Sequence, residues 1–250
     1  MIDMHTHILP QIDDGAKDLE TAEKLLLVEE TQGVREIVFT PHYYGQKRSL
    51  QQFLEQRNES VQTLQACIPP TLKCRLGAEV HITGVNDPSD DKLCALAIEG
   101  TRYVLMELPF TGRWNKSLFT RIESFIADTG YFPIIAHAER YERFRKNPFI
   151  LNELVKKGCL IQLNTHAFLR KSTQRFAYAL LKRGLVHCLG TDTHDTDNRI
   201  PDYASAKAAV IDAGYEHEWN EIQTNMHRIL SGEILRVRYT PLRKFLRWYF

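Results

Sequence analysis

The sequence contains no Cys-x-x-Cys pair; its five cysteines, Cys67, Cys74, Cys94, Cys159 and Cys188, are scattered along the chain. An odd, dispersed set excludes a disulfide framework and a structural zinc ribbon, and reads as small buried thiols in a reducing cytoplasm. A cysteine-nucleophile phosphatase needs its thiolate cradled by a short loop that closes on an arginine six residues later. No cysteine here has that arginine, and the position six after Cys188 is His194. A phosphate-cradling Gly-x-x-x-x-Gly-Lys loop is also absent. No apolar run approaches the roughly 20 residues of a membrane span. No signal peptide is expected, because candidate ligands already stand at His5 and His7. Charge of one sign is not in excess either: the net charge is +1, so no basic field argues for nucleic acid.

What remains is ordinary globular composition, 250 residues with 43% hydrophobic and 25% charged, enough for one sizeable core. Seven short strand-like runs can be marked: 1–5, 36–40, 72–79, 102–107, 132–137, 159–164 and 185–191. Most are rich in Ile, Val, Leu, Phe or Tyr without polar alternation, as expected for strands buried on both faces. Between them lie helical patterns at 18–30, 50–66, 115–128, 148–157 and 172–183, most of them stopped by a glycine. Strand–helix alternation reads as parallel βα units. An unbroken series of them favours a closed barrel, distorted because a full one has eight strands and about 250 residues. A doubly wound sheet is the alternative.

All but one of these strands end at, or shortly before, a side chain that can hold a metal. The first leads to His5 and His7, the second to His42, the third to Glu79, the fourth to Glu107, the fifth to His137 and the seventh to Asp192 and His194. In a βα barrel the C-terminal strand ends share one face, so these distant residues converge. Each alone has a plain structural explanation, since short motifs mislead easily. Together they would bury several carboxylates without compensating cations, which is severely unfavourable unless metal ions are present. The donors are nitrogen and oxygen only, which suits Zn, Mn or Fe. Asp14, in the Asp13-Asp14-Gly15 turn, is a further candidate ligand or simply a turn residue. The set exceeds what one tetrahedral ion needs. Two or three ions sharing a carboxylate, about 3.5–4 Å apart, fit phosphoester hydrolysis by a metal-bridging hydroxide.

Arg140 and Arg199 fall in loops after ligand-bearing strands, where guanidinium forks suit phosphate oxygens; a solvated surface role is the alternative. Lys47 and Arg48 read as solvated, though they are placed to line a rim for an acidic substrate. His81, His166, His187, His217 and His227 receive no role, except that His166, just past the sixth strand, is positioned for a supporting layer. From Arg236 to Phe250 the chain is basic and aromatic without an acid. Packing on the barrel or an oligomer contact is the simpler expectation, and an anionic membrane surface the alternative.

The segments Met1-Ile-Asp-Met-His-Thr-His-Ile-Leu-Pro10, Ile12-Asp-Asp-Gly-Ala16, Thr40-Pro-His42, Gly77-Ala-Glu79, Glu107-Leu-Pro109, His137-Ala-Glu-Arg-Tyr141 and Thr191-Asp-Thr-His194 together resemble the PHP (polymerase and histidinol phosphatase) superfamily. Within it the chain looks like the bacterial manganese-dependent protein tyrosine phosphatases that regulate capsule and exopolysaccharide synthesis. The resemblance spans about residues 1–200. It implies an α/β fold, a distorted seven-stranded (β/α) barrel, as a single domain: residues 1–235 form the barrel and 236–250 a basic aromatic extension of it. It also implies up to three ions, Mn2+ first, with Fe or Zn as alternatives. One ion would take His5, His7, Glu79 and Asp192; a second would share Glu79 and add Glu107 and His137; a third would take Asp14, His42 and His194. Arg140 and Arg199 match the family's phosphate-binding arginines. The implied substrate is phosphotyrosine on a cytoplasmic protein, a bacterial tyrosine kinase tail. Histidinol phosphate and a non-catalytic regulatory role are the competing readings. Ala138, Thr191, Thr193 and Gln11 depart from the family pattern without removing a ligand.

Overall fold

The computed structural model describes residues 1–83, 86–111, 114–245 and 248–249. The strands are β1 (Ile2–Thr6), β2 (Glu36–Phe39), β3 (His42–Tyr43), β4 (Lys73–Leu76), β5 (Glu79–His81), β6 (Tyr103–Glu107), β7 (Phe132–Ile135), β8 (Leu160–Asn164) and β9 (Cys188–Gly190), with a terminal hairpin of β10 (Lys244–Phe245) and β11 (Trp248–Tyr249). The helices are α1 (Leu19–Thr31), α2 (Leu50–Leu64), α3 (Lys116–Thr129), α4 (Glu142–Lys146), α5 (Phe149–Lys156), α6 (Gln174–Leu181), α7 (Tyr203–Asp212) and α8 (Glu216–Leu230). Local chemistry sets the helix starts: the Asp18 carboxylate accepts from Thr21 N, Ser49 and Gln52 form a reciprocal capping box, and Asn115 accepts from Leu118 N.

All pairings among β1–β9 are parallel, in a three-stranded sheet ordered β1-β2-β4 and a six-stranded sheet ordered β3-β5-β6-β7-β8-β9. The expected seven strands emerge as more segments, because the run 72–79 is cut in two and a further short strand, β3, forms beyond the run 36–40. Pro41, which has no N–H, separates β2 from β3, and Gly77-Ala78 separates β4 from β5. At each cut the chain passes from one sheet to the other. Hydrogen bonds bridge the joints: Thr40 N donates to Thr6 O at 2.9 Å, Gly77 N to Phe39 O at 2.9 Å, and Glu79 N to Pro41 O at 3.1 Å. On the other side β1 meets the chain after β9, where Asp192 N donates to His5 O at 2.8 Å and His7 N to Thr193 O at 2.9 Å. The sheets thus curl around one interior. The strand order is sequential, without the reversal a doubly wound sheet requires.

The segment after α8 packs on the same body. Thr240 N donates to Arg183 O at 2.9 Å, Asn152 exchanges two hydrogen bonds with the Leu242 backbone, and the Tyr249 hydroxyl donates to Arg145 O at 2.9 Å. Trp248 stays 69% exposed. Among the described residues no helix is long and apolar enough to cross a membrane.

His187, just before β9, is buried, and its Nδ1 accepts from Ile161 N at 2.8 Å. Burial lowers its pKa to about 3. The folded state therefore refuses a proton that the unfolded chain takes up below about pH 6.5, so stability is full above that pH and declines as the pH falls toward 3. At pH 5.5 the cost is about 1.4 kcal/mol. His187→Asn, which keeps an acceptor, should show a smaller drop in melting temperature between pH 7.5 and 5.5 than the parent; equal drops would contradict this.

Candidate metal centre

The ligand-bearing residues meet at the C-terminal strand ends. On β1, His5 lies at a strand position and His7 two residues on, so both rings face one side. Register then brings in the others: His42 pairs with Glu79 across β3 and β5, and His81 with Glu107 across β5 and β6. His137 and Asp192 follow β7 and β9 with φ of +32° and +55°, left-handed conformations held at two ligand positions. Gly190 is required at the end of β9, since a Cβ there would stand 2.4 Å from that of His5. Gly15 plays the same part in the Asp13-Asp14 turn, where a Cβ would meet His7 O at 2.1 Å.

Four donor atoms form a tight group. His5 Nε2 lies 3.1 Å from His7 Nε2, 3.2 Å from Glu79 Oε2 and 3.6 Å from Asp192 Oδ1; His7 Nε2 lies 3.4 Å from each of those oxygens. Donors about 2.1 Å from a central tetrahedral ion would be about 3.4 Å apart. Beside them His137 Nε2 is 2.8 Å from Glu79 Oε1 and 3.3 Å from Glu107 Oε1. Asp14 Oδ1, on an exposed side chain, is 3.5 Å from His42 Nε2 and 3.7 Å from His194 Nε2. These distances are compatible with the three groupings that the family resemblance implies. The same atoms also admit His7 with Asp14, His42 and His194, and His42 with Glu79 and Glu107. His42 belongs to both because its Nδ1 is 2.9 Å from Glu79 Oε2.

The residues fit metal ions. Glu79 Oε2, Asp192 Oδ1, His42 Nδ1, His137 Nδ1 and His194 Nε2 are buried without a hydrogen bond, a costly state that cations relieve at the inward-facing donors. Without cations, protons must balance the carboxylates. Burial opposes charge on His7 and His137, yet Asp13 and Glu79 for the first, and Glu107 and Glu79 for the second, raise both to about 10. Burial likewise opposes ionisation of Glu79 and Asp192, yet the surrounding histidines, His5 foremost, hold both carboxyls well below their usual range.

Both candidate arginines converge on Asp192: Arg199 Nη2 is 2.6 Å from its Oδ1 and Arg140 Nη1 is 3.3 Å from its Oδ2. Both remain open to solvent, at 39% and 33% side-chain exposure for Arg140 and Arg199. Arg48 is held in place, its guanidinium donating to Ile12 O and to Gln56, whereas Lys47 is exposed as expected.

Sequence reasoning missed the supporting layer. Asp13, not only Asp14, belongs to the site: its carboxylate takes His7 Nδ1 at 2.7 Å and His42 N at 2.8 Å. The strand without a ligand, β8, supplies Gln162, whose Oε1 accepts from His137 N at 2.5 Å and faces His5 Nδ1 at 3.3 Å. Gln162 Nε2 donates to Asn164 Oδ1, and Asn164 Nδ2 to Asp192 Oδ2 at 2.8 Å. The ring of His166, proposed for this layer, lies 3.9 Å from Glu139 Oε1. His81, given no role, binds Glu107 Oε2 through Nδ1 at 2.5 Å. The available signal was β8 itself, whose inward polar residues interrupt an apolar strand. Gln162→Ala should weaken metal affinity about 10–100-fold, measured by competition with a chelating dye; unchanged affinity would remove the supporting role.

A family model described as capsular polysaccharide synthesis, CpsB/CapC, matches residues 1–231. The chain belongs to the CpsB/CapC family. Among relatives of this CpsB/CapC chain, tyrosine-protein phosphatase YwqE of Bacillus subtilis (strain 168) is 32% identical over 209 residues, covering 80% of this chain and 79% of that protein. A structure from a study of YwqE and of CpsB from Streptococcus pneumoniae, described as metal-dependent tyrosine phosphatases, superposes with a TM-score of 0.83 at 26% identity. It covers 98% of this chain and 100% of that one. Histidinol phosphate phosphatase from Lactococcus lactis shares the fold, with a TM-score of 0.51 at 18% identity over 95% and 96% of the two chains.

Proposed function

We propose that this chain is a metal-dependent protein tyrosine phosphatase, acting on phosphotyrosine in the tail of a bacterial tyrosine kinase that controls capsule or exopolysaccharide synthesis. The observation that carries the reading is the group of four donors, His5, His7, Glu79 and Asp192, with two arginines converging on the same Asp192. His5, His7, Asp14, His42, Glu79, Glu107, His137, Asp192 and His194 would hold up to three ions, Mn2+ first as the family resemblance implies, with Fe or Zn as alternatives that a mixed nitrogen and oxygen set also suits. Divalent ions in these positions supply Lewis-acid charge to phosphoryl oxygens and activate water at neutral pH.

The chain's own groups do the rest. Asp13 holds the outer nitrogen of His7, and Gln162 faces that of His5, so both Nε2 lone pairs turn inward. Arg140 and Arg199 are the fixed donors for charge that builds on the equatorial oxygens. Phe110, 43% exposed at the rim, stacks 5.7 Å from His137 and 4.9 Å from the Arg140 guanidinium, and offers an apolar face to an aryl leaving group. Tyrosinate departs readily because its conjugate acid has a pKa near 10.

Residues 1–235 act as one catalytic unit, a distorted seven-stranded barrel if β2 with β3 and β4 with β5 are each counted once, with the described residues of the 236–250 extension packed on it. Five free cysteines suit the reducing cytoplasm. The exposed Trp248, with Arg175 4.8 Å from its ring, leaves the tail's outer face available to the anionic membrane surface near such a kinase.

The test compares a tyrosine-phosphorylated kinase tail, histidinol phosphate and a single-stranded oligonucleotide, after chelation and after Mn(II), Fe(II) or Zn(II) is restored. Metal-dependent release of phosphate, fastest from the kinase tail, is expected. Undiminished rates in the chelated enzyme, or a preference for either other substrate, would refute the reading.

A further inference from the structure

Adjoining the metal centre lies a cavity of about 520 Å³ that shares part of its wall with the candidate ligands. Its wall includes Asp14 and His42 from the centre itself, then Tyr44, Lys17, Lys47 and Arg48. The volume falls within the roughly 300–1,000 Å³ typical of specific ligand pockets.

The charges are unevenly committed. Asp13 is spent on His7 and His42, and Asp14 faces His42 and His194. Among the described residues no ion pair engages Lys47 or Arg48, and Lys17 faces its neighbour Asp18, although the chain as a whole is almost neutral. The Lys47 ammonium lies 4.4 Å from the centroid of the Tyr44 ring, and that ring is in turn 5.0 Å from His42. Arg48 is held rigidly, one nitrogen on Ile12 O at 3.1 Å and another on Gln56, which itself donates to Gln11 O. Its remaining N–H groups are free for an acceptor, and a preset guanidinium loses little entropy on binding a carboxylate.

We propose that this cavity is a subsite for acidic side chains flanking the phosphotyrosine, so that the preferred substrate is an acidic phosphopeptide. The inference rests on the phosphatase reading and adds a sequence preference to it. Carboxylates two or three residues from the phosphotyrosine would enter between Lys17, Lys47 and Arg48 while the phosphate occupies the metal centre. Rim charges of this kind act on encounter and selectivity more than on the chemical step.

The experiment uses metal-loaded full-length protein and three phosphotyrosine peptides that differ only in flanking Glu, Ala or Lys residues. The parent should hydrolyse the Glu peptide with a kcat/KM about tenfold above the Ala peptide at low salt, an advantage that shrinks toward physiological ionic strength. Lys17→Glu/Lys47→Glu should abolish or invert the Glu-over-Lys ratio, whereas Lys207→Glu on α7, outside the cavity, should keep it. If the parent hydrolyses all three peptides equally, or if Lys207→Glu shifts the ratio as much as the double variant, the subsite is wrong and the phosphatase reading stands. If no peptide is hydrolysed with any metal, both fall together.

Discussion

Glu79→Gln should lower phosphotyrosine hydrolysis by about a thousandfold or more and release most of the bound metal. No other carboxylate reaches so many of the candidate ligands. Its Oε2 lies 3.2 Å from His5, 3.4 Å from His7 and 2.9 Å from His42, and its Oε1 is 2.8 Å from His137. Glutamine keeps the shape but offers a neutral, weaker donor to every ion it touches. Loss of the charge stabilisation that metals provide is worth several kcal/mol, hence the expected rate. Metal content by atomic emission and turnover of para-nitrophenyl phosphate should fall together, and Mn(II) should no longer raise the melting temperature. A variant that retained both metal and rate would remove Glu79 from the centre of the site.

The two arginines should behave differently from the ligands. Arg199→Ala and Arg140→Ala are each expected to reduce kcat/KM by about 10²–10³-fold, the usual loss for one preorganised donor to a developing oxyanion. Metal content should stay near that of the parent, since neither side chain offers a lone pair. Lysine at either position should restore little, because a point charge does not replace a planar fork. The double variant should lose less than the product of the single losses, because both guanidinium groups meet on the two oxygens of Asp192. Steady-state kinetics with metal analysis decide the matter. If metal and activity declined in parallel, the arginines would be supports for Asp192 and not contacts for phosphate.

Much of this site is legible before any fold is known. Strands buried on both faces leave apolar runs that stand out, and a histidine or carboxylate just beyond such a run is conspicuous, as at His42, Glu79 and His137. The two helices α7 and α8 were not anticipated. In α8, Trp219, Ile222, Met226 and Ile229 do recur at helical spacing and are buried, but no ligand follows them to draw attention. Strand segments outnumber the seven expected runs for local reasons: Gly77 interrupts the run 72–79, and β3 follows Pro41, just past the run 36–40.

Asp13 and Asp14 illustrate the limit best. The two are chemically identical neighbours, yet one side chain turns inward to His7 and His42 and the other, 67% exposed, turns outward toward His42 and His194. Only the path of the turn, pressed onto His7 through Gly15, chooses between them. Gln162 and Asn164 are similar, since neutral amides carry no spacing signature and acquire a role only from what β8 lies beside.

By itself, then, the sequence determined the donor chemistry, the succession of parallel βα units and the end of each strand at which ligands occur, because these depend on residue type and on periodicities of two and 3.6. The tertiary structure alone decided which donors come within reach of one another, which of Asp13 and Asp14 turns inward, and that two arginines from separate loops meet on one aspartate. Those are distances between groups far apart along the chain, and they arise only when the sheets curl and close.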